Sequence, residues 1–256
     1  MIEAPTHWQA IWEIGQIAMR ARRADLLAAL VSKQGQVVQS GPFAGMALPP
    51  RTSPEDGNLL PRLLGCYESE LHDAVGAVIE AKPDMVMCIG VAEGYYPVGL
   101  ARLLPDAHVH GFERSDAAQE LCREAARLNG VDQRVSVGGQ CSQMVLQHLL
   151  VRGRRPAVLC DAEGEERVLI DPSRVPALAG CMLVVECHDH IDASITQVLA
   201  ERLSATHELS AVQEGARDPN AIGFLQQLDS LDRWLAVCEF RPRTMHWLIG
   251  MPKRGG

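Results

Sequence analysis

The stretch MVMCIGVAEGYYPVGLA, residues 85–101, is the strongest indication of the fold of this chain. It begins with an apolar run, passes through a turn that contains Gly90 and Gly94, and continues with apolar residues at helical spacing. A buried strand that leads through glycines into a helix places backbone N–H groups and a helix N-terminus beside an open crevice. The stretch therefore predicts a seat for a nucleoside cofactor. The alternative is that the two glycines serve only the close packing of helix on strand.

Strand-like and helix-like runs alternate from residue 84 onward, which is typical of a parallel sheet covered by helices on both faces. The predicted order is strand 85–91, helix 95–104, strand 108–113, helix 116–129, strand 134–138, helix 142–151, strand 157–161, strand 181–187, helix 195–204, strand 206–212, helix 228–237 and strand 245–250. The fold class is therefore α/β, with a mostly parallel sheet of seven strands.

The first 80 residues lack this alternation. They predict two helices, Trp8 to Arg20 and Ala24 to Ser32, a hairpin over 37–48, a polar link RTSPEDGN at 51–58 and a third helix over 66–81. We therefore divide the chain into an extension, residues 1–80, and a cofactor-binding domain, residues 81–256. The extension is expected to act as a lid or as a dimerisation surface.

Composition narrows the class of protein. The chain has 256 residues, of which 47% are hydrophobic and 22% charged, and a net charge of -8. An acidic chain lacks the basic surface that a phosphate backbone requires, so we expect no general nucleic-acid binding and a small-molecule or peptide substrate instead. Eight cysteines without a CxxC pair are typical of reduced thiols in the cytoplasm. No apolar run approaches the ~20 residues of a membrane helix.

An acidic residue follows the second predicted strand. The run HVHGFE ends at Glu113, about twenty residues after the glycines, where a carboxylate can accept both hydroxyls of a ribose. The alternative is a solvated acid at a strand end. A nicotinamide enzyme would carry GxGxxG, whereas residues 90–95 read GVAEGY, with Ala92 at the position of the second glycine. The glycine pattern thus counts against a dinucleotide-dependent oxidoreductase. A helix directly after Asp161, and a final helix–strand pair in place of a second mononucleotide-binding half, favour a methyltransferase-type sheet.

These motifs together resemble a known family. The succession CIGVAEGYYPVGLA, HGFERSD, ARLNGV, LCDAEGEE and VVECHD resembles the S-adenosylmethionine-dependent methyltransferases of class I, and within them the FkbM-type group. The resemblance covers about residues 84–250, with a weaker echo in GPFAGMALP and LGCYESEL. It implies a Rossmann-like methyltransferase fold, S-adenosylmethionine as cofactor and S-adenosylhomocysteine as product.

The resemblance also implies the residues that hold the cofactor. They are Gly90, Ala92, Gly94, Tyr95, Glu113, Asp161 and Glu163. Cys88 stands where many class I members carry an acid that supports the amino group of the cofactor. We expect Asp161, Glu163 or the turn after the first strand to take over that contact.

The segment ECHDHID follows the fifth predicted strand and leaves three interpretations open. His188 can be a general base, with Asp161 or Asp189 fixing its ring. The histidines and acids can bind a divalent metal together with Asp161. The segment can also be a polar loop that caps the next helix. We expect His188, Asp189 and Asp161 to be catalytic and no metal to be required.

Other polar and aromatic residues receive structural interpretations. Glu165 and Glu166 follow the fourth strand and are candidates for a base, but they are expected instead to complement the dipole of a helix that starts there. Arg241 and Arg243 in RPR are expected to be solvated, and Trp234, Phe240 and Trp247 to lie in the core.

The sequence as a whole predicts a methyltransferase. The expected acceptor is a hydroxyl or an amide or amine nitrogen of a small-molecule or peptide substrate of the natural-product type. The alternatives are a dinucleotide-dependent oxidoreductase and a non-catalytic cofactor-binding interaction protein.

Overall fold

The computed structural model describes residues 7–50 and 58–253. The strands in these residues are β1 Met85–Ile89, β2 His108–Phe112, β3 Val135–Gly138, β4 Pro156–Cys160, β5 Met182–Cys187, β6 His207–Gln213 and β7 His246–Pro252. They form one sheet in the order β3-β2-β1-β4-β5-β7-β6. The first five strands are parallel, and β7 runs antiparallel to both of its neighbours. The predicted Rossmann-like sheet of seven strands is confirmed.

Helices connect the strands and cover both faces of the sheet. The helices are α1 His7–Gln34, α2 Leu59–Leu64, α3 His72–Ala81, α4 Tyr95–Leu103, α5 Asp116–Leu128, α6 Gln143–Leu150, α7 Glu166–Leu169, α8 Ile195–Leu203 and α9 Ser230–Val237. Short 3-10 helices occupy Ser69–Leu71, Pro176–Gly180, Pro219–Ala221 and Leu225–Gln227. Every residue of β1, β4 and β5 is buried, and most of their side chains belong to two apolar clusters, one on each face. Their apolar sequences follow from burial on both faces.

Register at the centre of the sheet brings the ends of β1, β4 and β5 together. Ile89 of β1 lies beside Cys160 of β4, and Cys160 lies beside Val185 of β5. The residues that follow these three strands therefore emerge at one edge. The polar segments that start at Gly90, Asp161 and His188 meet there, as parallel strand ends do in open α/β sheets.

The first 80 residues differ in detail from the predicted elements. The two predicted helices are one continuous helix, α1, because residues 21–23, Ala-Arg-Arg, are good helix formers. The predicted hairpin contains only an isolated antiparallel bridge between Val37 and Ala47. Most of the polar link, residues 51–57, lies outside the described residues.

The predicted third helix, residues 66–81, is interrupted near its start. Glu68 adopts a left-handed backbone conformation with φ of 45°, so a helix cannot run through it. The regular helix α3 begins only at His72, after the 3-10 turn Ser69–Leu71. Glu68 is thereby turned into the interior, where it is 2% exposed.

Two further predictions concern the surface and the thiols. Trp247 is buried as predicted, but Trp234 on α9 is an exposed side chain, and its predicted core position is wrong. All eight cysteines are free thiols, and seven of them are buried. In the part of the chain that the structure describes, no helix combines the length and the apolar run needed to cross a lipid bilayer.

Candidate active site

The turn after β1 is built for close approach to the end of β4. Gly90 has φ of +78°, and a Cβ atom there would lie 1.8 Å from the carbonyl oxygen of Asp161. Its N–H donates to the carbonyl of Phe112 at 2.9 Å, which ties β1 to β2 as the strands end. Ala92, which replaces the expected second glycine, still adopts a left-handed conformation with φ of 42°. The turn therefore keeps a glycine-type backbone despite the alanine.

The turn closes at the N-terminus of α4. Gly94 takes φ of +95°, and a Cβ there would press on Cys122 of α5, with its Sγ 3.1 Å away. Tyr95, the first residue of α4, lies in a buried aromatic cluster, with edge contacts to Phe43, Tyr67 and Tyr96. Tyr95 thus helps to pack the amino-terminal portion against α4.

Glu113 is bonded to the same turn. Its Oε2 accepts the N–H of Ala92 at 3.2 Å, and its Oε1 accepts the N–H of Ser115 at 2.9 Å. The carboxylate therefore joins the glycine turn to the start of α5. Each oxygen retains a second lone pair for a further donor.

Glu113 and Gly90 line a small cavity of about 100 Å³ at the sheet edge. The other walls come from Arg114, the loop after β3 with Gln140 and Cys141, and the segment after β4. Asp161 and Glu163 line this cavity and also a larger one of about 830 Å³. These two acidic residues form the wall that the two cavities share.

The larger cavity lies between the sheet edge and the amino-terminal portion. Its walls are formed by Arg20 and Leu27 of α1, by α2, by His188 after β5, and by the segment 239–245. The extension and the sheet domain therefore both contribute to this cavity.

His188 is held by a buried carboxylate. Its ring is 3% exposed, and Nδ1 lies 2.7 Å from Oε1 of Glu166, which is completely buried. Glu166 also accepts the N–H of Ala162 at 2.9 Å and that of Gly164 at 3.0 Å. An ionised carboxylate only accepts hydrogen bonds. Nδ1 of His188 therefore carries a proton and donates a hydrogen bond to Glu166. Nε2 is then free to accept a proton.

The surroundings of His188 favour its protonated form. Burial by itself lowers the pKa of the imidazole, but the hydrogen bond to Glu166 and the charges of Glu186 and Glu163 outweigh it and raise the pKa. The pKa of Glu166 is held low, because the bonds from His188 and from the backbone outweigh its burial. Nε2 lies 3.5 Å from Oδ1 of Asp161 and 3.4 Å from Oε2 of Glu163.

Asp189 and His190 diverge from this arrangement. The carboxylate of Asp189 accepts the N–H of Thr196 at 3.0 Å and also the Thr196 hydroxyl, so it caps α8. His190 is exposed and lies on the wall of the larger cavity, with its ring 5.5 Å from that of His188. The residue that fixes the His188 ring is therefore Glu166, for which the sequence favoured a role at the dipole of a helix.

A buried ionic network closes the floor of the larger cavity. Arg241 pairs with Glu186 and with Glu68, each at 2.6 Å, and with Glu239 at 3.0 Å. Arg217 pairs with Glu239 at 2.6 Å. The prediction that Arg241 is solvated is wrong, because its side chain is surrounded by these three buried carboxylates. Burial and the nearby charges of Asp161 and Glu68 raise the pKa of Glu186.

Asp161 is the residue where the two cavities and the ionic network meet. Burial, together with the charges of Glu68 and Glu163, raises its pKa. Its Oδ1 atom has no hydrogen-bond donor among the described residues. Asp161, Glu186 and His188 each offer a ligand atom within 4.8 Å of the others, so they could hold a divalent cation. Glu186, however, already pairs with Arg241 at 2.6 Å.

Glu68 and Arg241 were not predicted as site residues, and Glu166 was considered as a base but not as the partner of His188. Glu68 and Arg241 are 173 positions apart and meet only in the folded chain. Glu166 sits one residue after another glutamate, and no local pattern distinguishes the two. Helical spacing offers one weak signal, since Glu166 and Leu169 fall on the same buried face of α7.

Neither a protein-family model nor a curated protein matches the sequence. Several solved structures are similar in chain trace. The O-methyltransferase from Bacillus cereus, in complex with SAH, is 15% identical, with 90% of this chain and 91% of that chain covered and a TM-score of 0.47. The O-methyltransferase TomG from Streptomyces achromogenes, in complex with SAM, is 18% identical, with 73% and 80% covered and a TM-score of 0.48.

A third similar structure is the precorrin-6y C5,15-methyltransferase from Geobacter metallireducens. It is 12% identical, covers 71% of this chain and 88% of that chain, and has a TM-score of 0.46. Likenesses at this level do not assign an activity, so function has to be argued from the residues of this chain.

Proposed function

We propose that this chain is an S-adenosylmethionine-dependent methyltransferase that acts on a hydroxyl or on an amide or amine nitrogen of a small-molecule or peptide substrate. The observation that carries the proposal is the wall of Asp161 and Glu163 between two cavities. The smaller cavity is lined by Gly90 of the turn and by Glu113, whose carboxylate can accept the hydroxyls of a ribose. The other has a buried, carboxylate-held histidine. This is the division that transfer between a nucleoside cofactor and a second substrate requires.

The residues of the smaller cavity fit the cofactor. Gly90 itself lines this cavity, and its lack of a side chain lets the turn pack against the carbonyl of Asp161. Glu113 has lone pairs for two ribose hydroxyls, and Oδ1 of Asp161, which has no donor among the described residues, can accept from an ammonium group. Gly90, Ala92, Gly94 and Glu113 would hold the nucleoside, with Asp161 and Glu163 at its reactive end. The bound cofactor supplies an electrophilic methyl group on a sulfonium.

His188 is the base in this proposal. A hydroxyl or amine acceptor in the larger cavity donates its hydrogen bond to Nε2 of His188 and loses its proton to that atom as the methyl group arrives. Glu166 holds the ring by Nδ1 and stabilises the imidazolium that forms. The proton then leaves to solvent through the mouth of the cavity. Base catalysis by His188 requires no metal.

The carboxylates near His188 favour a methyl-accepting group that donates hydrogen bonds. Asp161, Glu163 and Glu186 surround Nε2 of His188, so a carboxylate or phosphate acceptor would meet three acids there. A hydroxyl or an amine would instead find acceptors. The extension, residues 1–80, supplies Arg20 and Leu27 to the same cavity, which supports its proposed role as a lid on the acceptor side.

The topology speaks against the dinucleotide alternative. Dinucleotide-binding sheets continue with parallel strands on both sides of the switch point, in the order 3-2-1-4-5-6. Here the antiparallel β7 is inserted between β5 and β6, so a second mononucleotide-binding half is missing from the described sheet. The proposed cofactor is therefore S-adenosylmethionine rather than NAD.

Loss of the Glu113 carboxylate is expected to weaken cofactor binding. In Glu113→Ala the ribose hydroxyls lose their acceptors in a partly buried site, which costs on the order of 1–3 kcal/mol. Titration calorimetry with S-adenosylhomocysteine on the folded variant measures this loss. Glu208→Ala, which removes an exposed acid from β6, serves as the control and should bind like the unmodified chain. Unchanged affinity in Glu113→Ala would place the ribose elsewhere, and tight binding of NAD would overturn the cofactor class.

Activity is expected to rise with pH. A base must be unprotonated to act, and the pKa of His188 lies above the usual value for histidine. The value of kcat/KM should therefore increase through that raised pKa and level off above it. Glu166→Gln removes the carboxylate that raises the pKa, so the midpoint should move to lower pH while the maximal rate falls. Glu165→Gln, one residue away, should leave the midpoint in place. A midpoint unmoved in Glu166→Gln would contradict the assigned base.

A further inference from the structure

The amino-terminal half of α1 carries a large exposed apolar surface. Trp8 is 72% exposed, Trp12 59% and Ile17 68%, and Ile11 and Ile14 are exposed as well. The buried side chains of this helix are Arg23, Leu26 and Leu30, all in its second half. The first four turns therefore project beyond the part of α1 that packs on the body. Exposed apolar area of this size usually marks a contact surface.

The polar residues of this half form one narrow stripe. Gln9, Glu13, Gln16 and Arg20 recur at spacings of four, three and four, so they lie on one line of the helix. All other positions between Trp8 and Ala21 are apolar. The apolar face thus spans well over half of the helix circumference, so its central part can pack on a partner helix while its flanks cover the edges of that contact.

A membrane surface is a poor occupant for this face. Helices that lie on lipid carry Lys and Arg along the polar side, whereas this stripe holds one acid, Glu13, and one base, Arg20. The chain as a whole has a net charge of -8, which anionic lipid repels. A protein partner is therefore the better occupant.

Side-chain size along the face points to a second copy of the same helix. The large residues Trp8, Ile11 and Trp12 come first, and the small residues Gly15, Ala18 and Ala21 follow. In an antiparallel pair centred between Ile14 and Gly15, Ile11 of one copy lies against Ala18 of the other, and Trp8 lies against Ala21. The two-fold symmetry of the pair repeats each of these contacts. None of the described residues lies within 4 Å of a Cβ placed at Gly15, so a partner helix has space to approach there.

We propose that two copies of this chain pair through the amino-terminal halves of their α1 helices, antiparallel and with large residues packed on small ones. The five exposed side chains offer on the order of 600 Å² of apolar area per copy. A symmetric pair can bury at most on the order of 1,200 Å², the lower end of stable specific interfaces. Pairing also fixes the helix whose Arg20, Ala24 and Leu27 line the larger cavity. The pairing is independent of the proposed activity.

Sedimentation velocity on the full chain at micromolar concentration tests the pairing. The unmodified chain should sediment as a dimer, and Ile11→Glu should sediment as a folded monomer, because it buries a charge only in the pair. Gln16→Glu on the polar stripe of the same helix should remain a dimer. A monomeric unmodified chain, or an Ile11→Glu variant that stays dimeric, would overturn the proposal.

Cross-linking tests the antiparallel register. A short bis-maleimide should join two copies of Gly15→Cys, because the two positions face each other near the centre of the pair. Gln16→Cys, which points away on the polar stripe, should cross-link at least tenfold less. Equal cross-linking of the two variants would overturn the register. Co-sedimentation of a monomeric unmodified chain with phosphatidylserine vesicles would identify lipid as the occupant and also overturn the proposal.

Discussion

Replacing His188 with alanine should lower kcat by ~100- to 10,000-fold, the contribution that a positioned general base makes to proton removal. Affinity for the cofactor should stay nearly constant, because His188 lines the larger cavity and not the smaller one. The expected pattern is a loss in kcat and kcat/KM together, as for an interaction made only in the transition state. Radiolabelled methyl transfer to an acceptor found by screening hydroxyl and amine compounds measures both constants.

The control for this variant is His148→Ala, which removes an exposed histidine from α6 and should leave turnover unchanged. A chelator separates base catalysis from the metal interpretation. If Asp161, Glu186 and His188 hold a required divalent cation, activity should vanish with EDTA and return with Mg²⁺. Near-normal turnover in His188→Ala would reduce the segment ECHDHID to a polar loop.

Removing the guanidinium of Arg241 should have the largest effect on stability. In Arg241→Leu the carboxylates of Glu68, Glu186 and Glu239 stay buried without their shared cation. Breaking a buried ion pair from one side costs about 3–5 kcal/mol, because the remaining charge is uncompensated. Urea denaturation near pH 7, followed by circular dichroism, measures the free energy of unfolding.

The stability deficit of Arg241→Leu should also depend on pH. Burial already raises the pKa of Glu186 and Glu239 in the unmodified chain, and the charge of Arg241 acts against that rise. Without Arg241 the folded state binds these protons more tightly than the unfolded state does, so stability is retained at low pH and lost as pH rises. The deficit should be larger at about pH 7.5 than at about pH 5.

Arg243→Leu is the matched control, since it removes a solvent-exposed arginine two residues away. It should change the free energy of unfolding by less than about 0.5 kcal/mol, as surface substitutions usually do. Equal stability of the Arg241 and Arg243 variants would show that the three carboxylates tolerate burial without a cation.

The sheet could be predicted from local sequence because its strands are buried on both faces. A run such as MVMCI admits no polar residue, so β1, β4 and β5 are visible as apolar runs. Their ends were predicted less accurately. The first strand stops at Ile89 and not at Val91, since Gly90 has φ of 78° and so leaves the extended conformation. The position of His188 at the sheet edge follows from the same strand logic.

The partners of the site residues could not be predicted in the same way. Glu166 reaches His188 across 22 positions, and Arg241 reaches Glu68 across 173. Such pairs depend on how the loops fold back on the sheet and leave no period in the sequence. The continuous α1 is a different case. Its two halves have different surroundings, one packed and one exposed, yet the backbone runs through residues 21–23 without the predicted break.

The measurement that tests the central claim most directly is a crystal structure of the chain with S-adenosylhomocysteine. We expect the ribose to be hydrogen-bonded to Glu113 beside Gly90. The sulfur should lie on the side of Asp161 and Glu163 that faces His188. Absence of the nucleoside at millimolar concentration, or a pose with the sulfur turned away from the larger cavity, would contradict a methyl transfer between these two cavities.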